Sequence, residues 1–376
     1  MHLEQTEGGI VTVRPPSTQT LVPAATLHGI IRACFAAVGL ADPDATAVAD
    51  VLTYANLRGI DSHGLDRVPV YMRRAKAGLT GGSERISVVK RDGALCRLDA
   101  GHALGPAAGV KAIDLAVDIA RSTGVGLVAV GNSTNFGAAG FYALRAAQSG
   151  FVGVVATNAP KMMAPYGSRE AFLGSNALAI AIPIDGRDEF VLDMSSTAVA
   201  RGKIRRAAVL GNSMGADLAL DSDGNPTTDP AQALAGSLLP LGGPKGTGLA
   251  FAITALVGLL AGADFDDEVA SIYLDSTRAQ NLGQLFIVID PWRVADAKEA
   301  PLRLGRLADR LHALSAQPGF DTVRYAGEGA AQRARERLRA GIPVETIEIE
   351  AVARACSDCE RSDLARRVSA LISRSR

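Results

Sequence analysis

Residues 106–157 constrain the fold of this chain more than any other stretch. A helix-periodic segment over 106–123 ends at Gly124 and gives way to the uncharged apolar run 125–130; a second helical segment, 138–149, leads into a second apolar run, 151–157. Runs that short and that evenly apolar predict strands buried on both faces, which need helices laid against them. Apolar runs at 177–183, 190–192 and 285–289 add strands, and 86–89 with 94–98 flank Arg91-Asp92-Gly93 as a hairpin. Residues 246–263 are uncharged and close to a membrane span in length, but Gly248, Gly258 and Gly262 interrupt them. They are read as a buried core helix covering one face of the sheet. The fold class that follows is α/β, a sheet covered by helices.

The two ends of the chain read as helix. Residues 26–38 close at Gly39, Asp42-Pro43 starts a helix over 44–58 that Gly59 ends, and a third runs from Asp61 or Ser62 to Gly78. Towards the C-terminus, Arg333, Arg335, Arg337 and Arg339 alternate along a helix over 329–340; spacing by two scatters them around it, which predicts a solvated face rather than a nucleic-acid patch.

Composition narrows the function. Lys and Arg number 39 and Asp and Glu also 39, so no global charge draws the protein to nucleic acid or to an anionic membrane, and any anion site must be local. The first residues lack the apolar core of a secretory signal and read as a loose tail. Four scattered cysteines, Cys34, Cys96, Cys356 and Cys359, point to a reducing compartment, the cytoplasm. Cys356 and Cys359 have the spacing of half a zinc site, but no second pair completes it, and no metal is expected.

Two glycine motifs invite a nucleotide reading. Residues 124–129 match GxGxxA by letters, yet the helix precedes the glycines and a strand follows, the reverse of the dinucleotide order, so plain turn chemistry is expected. Gly242-Gly243-Pro244-Lys245-Gly246 lacks P-loop spacing but sits where a helix starts, so its backbone N–H groups and Lys245 could meet a phosphate.

The densest constellation runs from Arg58 through Asp61, Ser62, His63, Asp66 and Arg67 to Tyr71 and Arg73. Reducing a 2-oxo acid requires a cation for the carboxylate and a proton donor for the oxygen that becomes an alkoxide. Arginine supplies a bidentate clamp and histidine a proton that moves both ways near neutrality. On these residues alone, a capped helix start with a surface histidine fits equally well. His2, His28, His102 and His312 read as structural, and no hydrolase signature is present.

Several separated motifs then fall into one pattern. Residues 58–74, Gly101-His102-Ala103-Leu104-Gly105, Phe136-Gly137-Ala138-Ala139-Gly140-Phe141-Tyr142, Ala164-Pro165-Tyr166-Gly167, Leu192-Asp193-Met194-Ser195, Arg201-Gly202-Lys203 and Leu220-Asp221 with Asn225-Pro226-Thr227-Thr228-Asp229-Pro230 resemble, in order, the malate/L-lactate dehydrogenase family. That family includes ureidoglycolate and sulfolactate dehydrogenases, diketogulonate reductase and Δ1-piperideine-2-carboxylate reductase, and the resemblance spans roughly residues 21–347.

The resemblance implies a non-Rossmann mixed sheet covered by helices, with a helical subdomain built from both chain ends. The expected division is a flexible tail over 1–20, the helical subdomain over 21–82 and 301–376, and a nucleotide-binding α/β domain over 83–300. It further implies a homodimer, NADPH or NADH as cofactor, and a small 2-oxo or 2-imino acid as substrate. Residue by residue, His63 matches the proton donor and Ser62 its neighbour, and Lys203 is counted with them among the catalytic positions. Arg67, Tyr71, Ser175 and Asn135 match substrate-binding positions. Phe136, Gly137, Ala138, Ala139, Gly140, Asp193, Met194, Ser195, Lys245, Gly246, Arg324, Gly327 and Glu328 match cofactor-contacting stretches.

The departures also carry information. The family usually has His-Phe-Gly where this chain has Asn135-Phe136-Gly137, and asparagine can hydrogen-bond but cannot shuttle a proton. Lys203 follows the hydroxy-acid pattern, where imino-acid reductases can carry aspartate. Thr247 replaces a common tyrosine, and Ser175 stands for a threonine. Reduction of a cyclic imino acid, or a repurposed non-redox role, remains the alternative to oxo-acid reduction.

Overall fold

The computed structural model describes residues 19–373. The expected tail over 1–20 lies outside the described residues except for Gln19 and Thr20, which already belong to strand β1 (Gln19–Val22). Helices α1 (Ala24–Ala37), α2 (Asp42–Arg58) and α3 (Val68–Lys76) follow. Helix α2 has proline and two acidic residues in its first turn and Gly59 in the left-handed conformation at its end (φ 81°), the start and stop its sequence predicts.

The middle of the chain forms the sheet. Strands β2 (Ser87–Asp92) and β3 (Leu95–Asp99) make the hairpin, and α4 (Gly105–Thr123), β4 (Val125–Ser133), α5 (Ala139–Gln148) and β5 (Val152–Thr157) realise the alternating segment. Strands β6 (Ala177–Ile182) and β7 (Phe190–Ser195) continue it. A lobe follows, made of α6 (Arg201–Leu210), β8 (Ala219–Leu220), α7 (Pro230–Ala235) and β9 (Ser237–Leu238), before α8 (Pro244–Ala261) and β10 (Leu282–Ile289). The seven-stranded sheet has the order β2-β3-β4-β10-β5-β6-β7. Only β3 and β4 pair in parallel, so the sheet is mixed; β10, from late in the chain, inserts antiparallel between β4 and β5. The letter match at residues 124–129 is turn and packing chemistry: Gly124 caps α4 (φ 86°), and a Cβ on Gly126 would stand 2.2 Å from the Ala116 carbonyl oxygen.

Helices α4 and α5 bury one sheet face through residues such as Ile113, Tyr142, Val128 and Phe286, and α8 packs on the other through Ile253 and Val257 against Ala129 and Leu285. Helix α8 departs from the buried core helix its composition suggests. Ile253, Val257 and Ala261 pack on the sheet and Gly246 and Ala250 are also buried, but Phe251 and Leu259 are 62% and 81% exposed. The absence of charge reflects two apolar faces, only one of which is covered by the described residues.

The chain closes with α9 (Glu299–His312), α10 (Glu328–Ala340), β11 (Ile342–Glu345), α11 (Thr346–Asp358) and α12 (Ser362–Ser373). Strand β11 pairs antiparallel with β1, and one core joins Leu27, Phe35 and Leu52 to Ile349, Val352 and Leu364. Each such side chain, once fully buried, stabilises the unit by about 1.5–3 kcal/mol. A helical unit drawn from both chain ends therefore abuts the sheet, with α2 touching α4 and α10.

Candidate active site

The segment between α2 and α3 is where the densest polar residues lie, and it is not the continuous helix its sequence predicts. Residues Asp61–His63 and Leu65–Arg67 form two single 3-10 turns joined at Gly64 (φ −100°, ψ −130°) before α3 begins. The cause lies beneath: buried Asn56 fills the space behind Gly64, where a Cβ would fall 2.1 Å from Asn56 Oδ1. Asn56 Oδ1 accepts the Leu65 N–H at 2.8 Å, and its Nδ2 donates to Asp61 at 2.9 Å. Arg337 closes the support, donating to Asp61 Oδ1 at 2.7 Å and to the Asn56 carbonyl. The alternating arginines are thus not a merely solvated face: Arg333 binds the Arg58 carbonyl and Arg335 binds Asp188. Three of them fasten α10 to its neighbours.

On this platform His63 is half-buried, with Nδ1 3.0 Å from Ser62 Oγ and no partner at Nε2 among the described residues. Burial, and then the neighbouring Arg67 guanidinium, lower its pKa to about 3. The ring is therefore neutral in the free protein. For Nε2 to accept a proton, Nδ1 must carry hydrogen and donate it to Ser62 Oγ. Arg67 donates to the Tyr273 hydroxyl and stands 5.6 Å from the centre of that ring, while its buried Nε has no partner. An orphaned guanidinium donor is costly unless a ligand meets it.

One turn along α3, buried Tyr71 donates its hydroxyl to Asn135 Oδ1, which also accepts the Gly137 N–H at 3.3 Å. Burial raises the Tyr71 hydroxyl above its ordinary value, so it remains a donor. Gln280 holds the other side, its Oε1 accepting the Asn135 N–H at 3.3 Å. His63, Arg67, Tyr71 and Asn135 thus form one cluster. Helix α6 reaches it too: a Cβ on Gly202 would stand 3.3 Å from the Ser62 Cβ, and the exposed Lys203 is the next residue along that helix.

The residues matched to a cofactor gather along edge strand β7. Asp193 accepts the Gly140 N–H at 2.9 Å, where a Cβ on Gly140 would lie 2.7 Å from the carboxylate. This couples the Phe136–Gly140 loop to β7. Val191 donates to the Ala326 carbonyl at 2.9 Å, and a Cβ on Gly327 (φ 103°) would meet the Val191 nitrogen at 2.8 Å; Arg324, Gly327 and Glu328 therefore lie beside the same strand. Just past Met194 and Ser195, Ser196 donates to the Ser175 carbonyl at 2.8 Å, and a Cβ on Gly246 would stand 2.6 Å from the Ser196 carbonyl oxygen. That places Ser175 and the start of α8, with exposed Lys245, at the end of β7.

These residues fit a nicotinamide dinucleotide. Helices α5 and α8 begin without a side-chain cap, positive-φ Gly243 (φ 62°) precedes α8, and exposed Lys245 stands in the first turn of that helix. Tyr273, Gln280 and Arg337 escape sequence reasoning: their partners lie 206, 145 and 276 residues away.

Comparison with known proteins gives a consistent picture. The family model for malate/L-lactate dehydrogenase matches residues 22–353. The malate/(S)-sulfolactate dehydrogenase of Methanothermus fervidus is 38% identical over 70% of this chain and 77% of its own length. The NAD-dependent ureidoglycolate dehydrogenase of Escherichia coli K12 is 34% identical over 85% and 91%. The sulfolactate dehydrogenase structure from Methanocaldococcus jannaschii superposes with a TM-score of 0.84 at 33% identity, covering 90% of this chain and 97% of that one.

Proposed function

The chain belongs to the malate/L-lactate dehydrogenase family, a family of NAD(P)-dependent enzymes acting on small hydroxy and oxo acids, and from that premise we propose that it interconverts a 2-oxo acid and its 2-hydroxy acid, with His63 passing the proton and Arg67 holding the carboxylate. The observation that carries this reading is the pairing of an open His63 Nε2 with an orphaned Arg67 Nε in one cluster. A bound nicotinamide supplies or takes the hydride. The protein's part is to bind, orient and manage one proton. A carboxylate fills the open valence of Arg67 and cancels the charge that, after burial, most opposes protonation of His63. The free site therefore holds a neutral imidazole ready to accept a hydroxyl proton, and substrate binding raises its affinity for the proton it returns to the alkoxide.

Asp193, the Phe136–Gly140 loop, Lys245 with Gly246, and Arg324 to Glu328 are assigned to the nucleotide on residues 83–300 and the adjoining segment. The bare apolar face of α8, with Phe251 and Leu259, is assigned to a second copy of the chain, giving a homodimer. The four free cysteines support a reducing compartment, the cytoplasm.

Loss of NADH or NADPH absorbance with a panel of 2-oxo acids and cyclic imino acids tests the reaction; absence of turnover together with absence of nucleotide binding by calorimetry overturns it. Thermal-shift titration with the two nucleotides distinguishes NADH from NADPH. Light scattering reads the assembly, and Leu259→Arg should shift a dimer to monomer.

A further inference from the structure

Asn135 is held by its oxygen. Oδ1 accepts two hydrogen bonds, from the Tyr71 hydroxyl and from the Gly137 backbone N–H. The second fixes the orientation of the amide, because a backbone N–H can only donate, and a flipped side chain would set NH2 against it. The residue is half-buried, its backbone N–H is tied to Gln280, and Nδ2 bonds to nothing among the described residues. The two-proton end of the amide is thus the part of the side chain left for a ligand, one hydrogen bond from Tyr71, which lies four residues along the chain from Arg67.

Resting on the oxo-acid reading above, we propose that Asn135 Nδ2 is a fixed, non-titrating donor to the substrate's C2 oxygen, so that this site binds the developing alkoxide with one ionising group and one permanent amide. As hydride adds to C2, the carbonyl π pair moves onto oxygen. That oxygen takes the proton from His63 Nε2, and the Asn135 N–H donates a hydrogen bond throughout without giving up its proton. The imidazolium returns to imidazole and the amide is unchanged, so charge and protons balance. A preorganised donor of this kind typically contributes about 10²–10³-fold to turnover. Buried Tyr71 and the Gly137 amide set its direction, so no reorganisation is needed when charge develops.

Asn135→Asp is the decisive variant because it is isosteric and keeps an oxygen for both Tyr71 and Gly137, while exchanging the outward neutral donor for an acceptor that carries negative charge at neutral pH. Its kcat for oxo-acid reduction at neutral pH should fall by about 10²-fold or more with nucleotide affinity unchanged. Activity should partly return as pH falls and the carboxyl regains an O–H. Asn135→His, which restores a donor, should keep kcat within about tenfold and add a second limb to the pH–rate profile. Turnover of Asn135→Asp within threefold of wild type, with no rise at low pH, makes the amide a structural acceptor and overturns the proposal. Should that variant not fold, Asn135→His decides alone, a profile matching the wild type's being the contrary result. A wild-type enzyme that turns over no oxo or imino acid fails at the earlier reading instead.

Discussion

Two polar clusters in this molecule are opposites. Around Asp266, which is 1% exposed, every valence is filled. Its carboxylate accepts from the Gly174 N–H, Asn176 Nδ2 and Thr254 Oγ1, each at 2.7 Å, and from Asn158 Nδ2 at 3.1 Å. Around His63 the valences are open: imidazole Nε2, Arg67 Nε and Asn135 Nδ2 all lack partners among the described residues. The first cluster spends its polarity on holding the Gly174–Asn176 corner, and with it Ser175, in place. The second keeps its polarity for something the chain does not contain. A closed knot should register in stability and an open one in chemistry.

Exchanging the two readouts would break that contrast. Removing His63 by alanine should cut turnover by about two to four orders of magnitude. It should leave the melting temperature nearly unchanged, since the ring makes one hydrogen bond, to Ser62. Asp266→Ala should do the reverse, costing about 3–5 kcal/mol in denaturant unfolding because four buried hydrogen bonds are lost at once and the Gly174 N–H is left without an acceptor. A His63→Ala protein that is badly destabilised, or an Asp266→Ala protein that is not, would erase the distinction. Arg67→Lys is a milder probe. Lysine keeps the charge but cannot serve Tyr273 and a bidentate carboxylate together, so KM for the acid should rise about 10–100-fold with little change in kcat. A KM that does not move would place the carboxylate elsewhere.

The closed and open regions also differ in how far sequence reveals them. The sheet is legible because its strands are uninterrupted apolar runs between glycine-capped helices, as at residues 125–130 and 151–157. His63 and Arg67 are legible because they sit in one short segment with a motif-like density of polar groups. What that segment rests on is not. Gly64 reads as an ordinary residue within a helix until Asn56 is seen to occupy the space behind it. Arg337 belongs to a run of alternating arginines whose spacing points to solvent, and only the return of the C-terminal helices to α2 gives it Asp61. The covered and bare faces of α8 share one composition, so local sequence cannot separate them.

Glu348 on α11 gives the subtlest test, because it belongs to the closed side yet lies under the open one. Its carboxylate accepts the Glu345 N–H at 3.0 Å in a capping box. Burial first, and then the negative charges of Asp66 and Asp61, raise its pKa from an ordinary 4.5 to about 7. A carboxyl whose folded value exceeds its unfolded value binds protons more tightly when folded. Its contribution to stability is therefore greatest below about pH 4.5, declines as pH rises from there to about 7, and is a constant penalty above. Glu348→Gln keeps an acceptor for the cap while removing the charge. It should raise unfolding stability by roughly 1–3 kcal/mol above pH 7 and by nothing near pH 4. The pH dependence of the melting temperature, compared between the two proteins, reads this directly; curves that stay parallel across pH 4–8 would show that the charge costs the fold nothing. Because Asp61 and Asp66 flank His63 in sequence, a Glu348→Gln enzyme with altered kcat as well would show the two clusters to be electrically joined, whereas unchanged kcat keeps the stability of the platform separate from the chemistry above it.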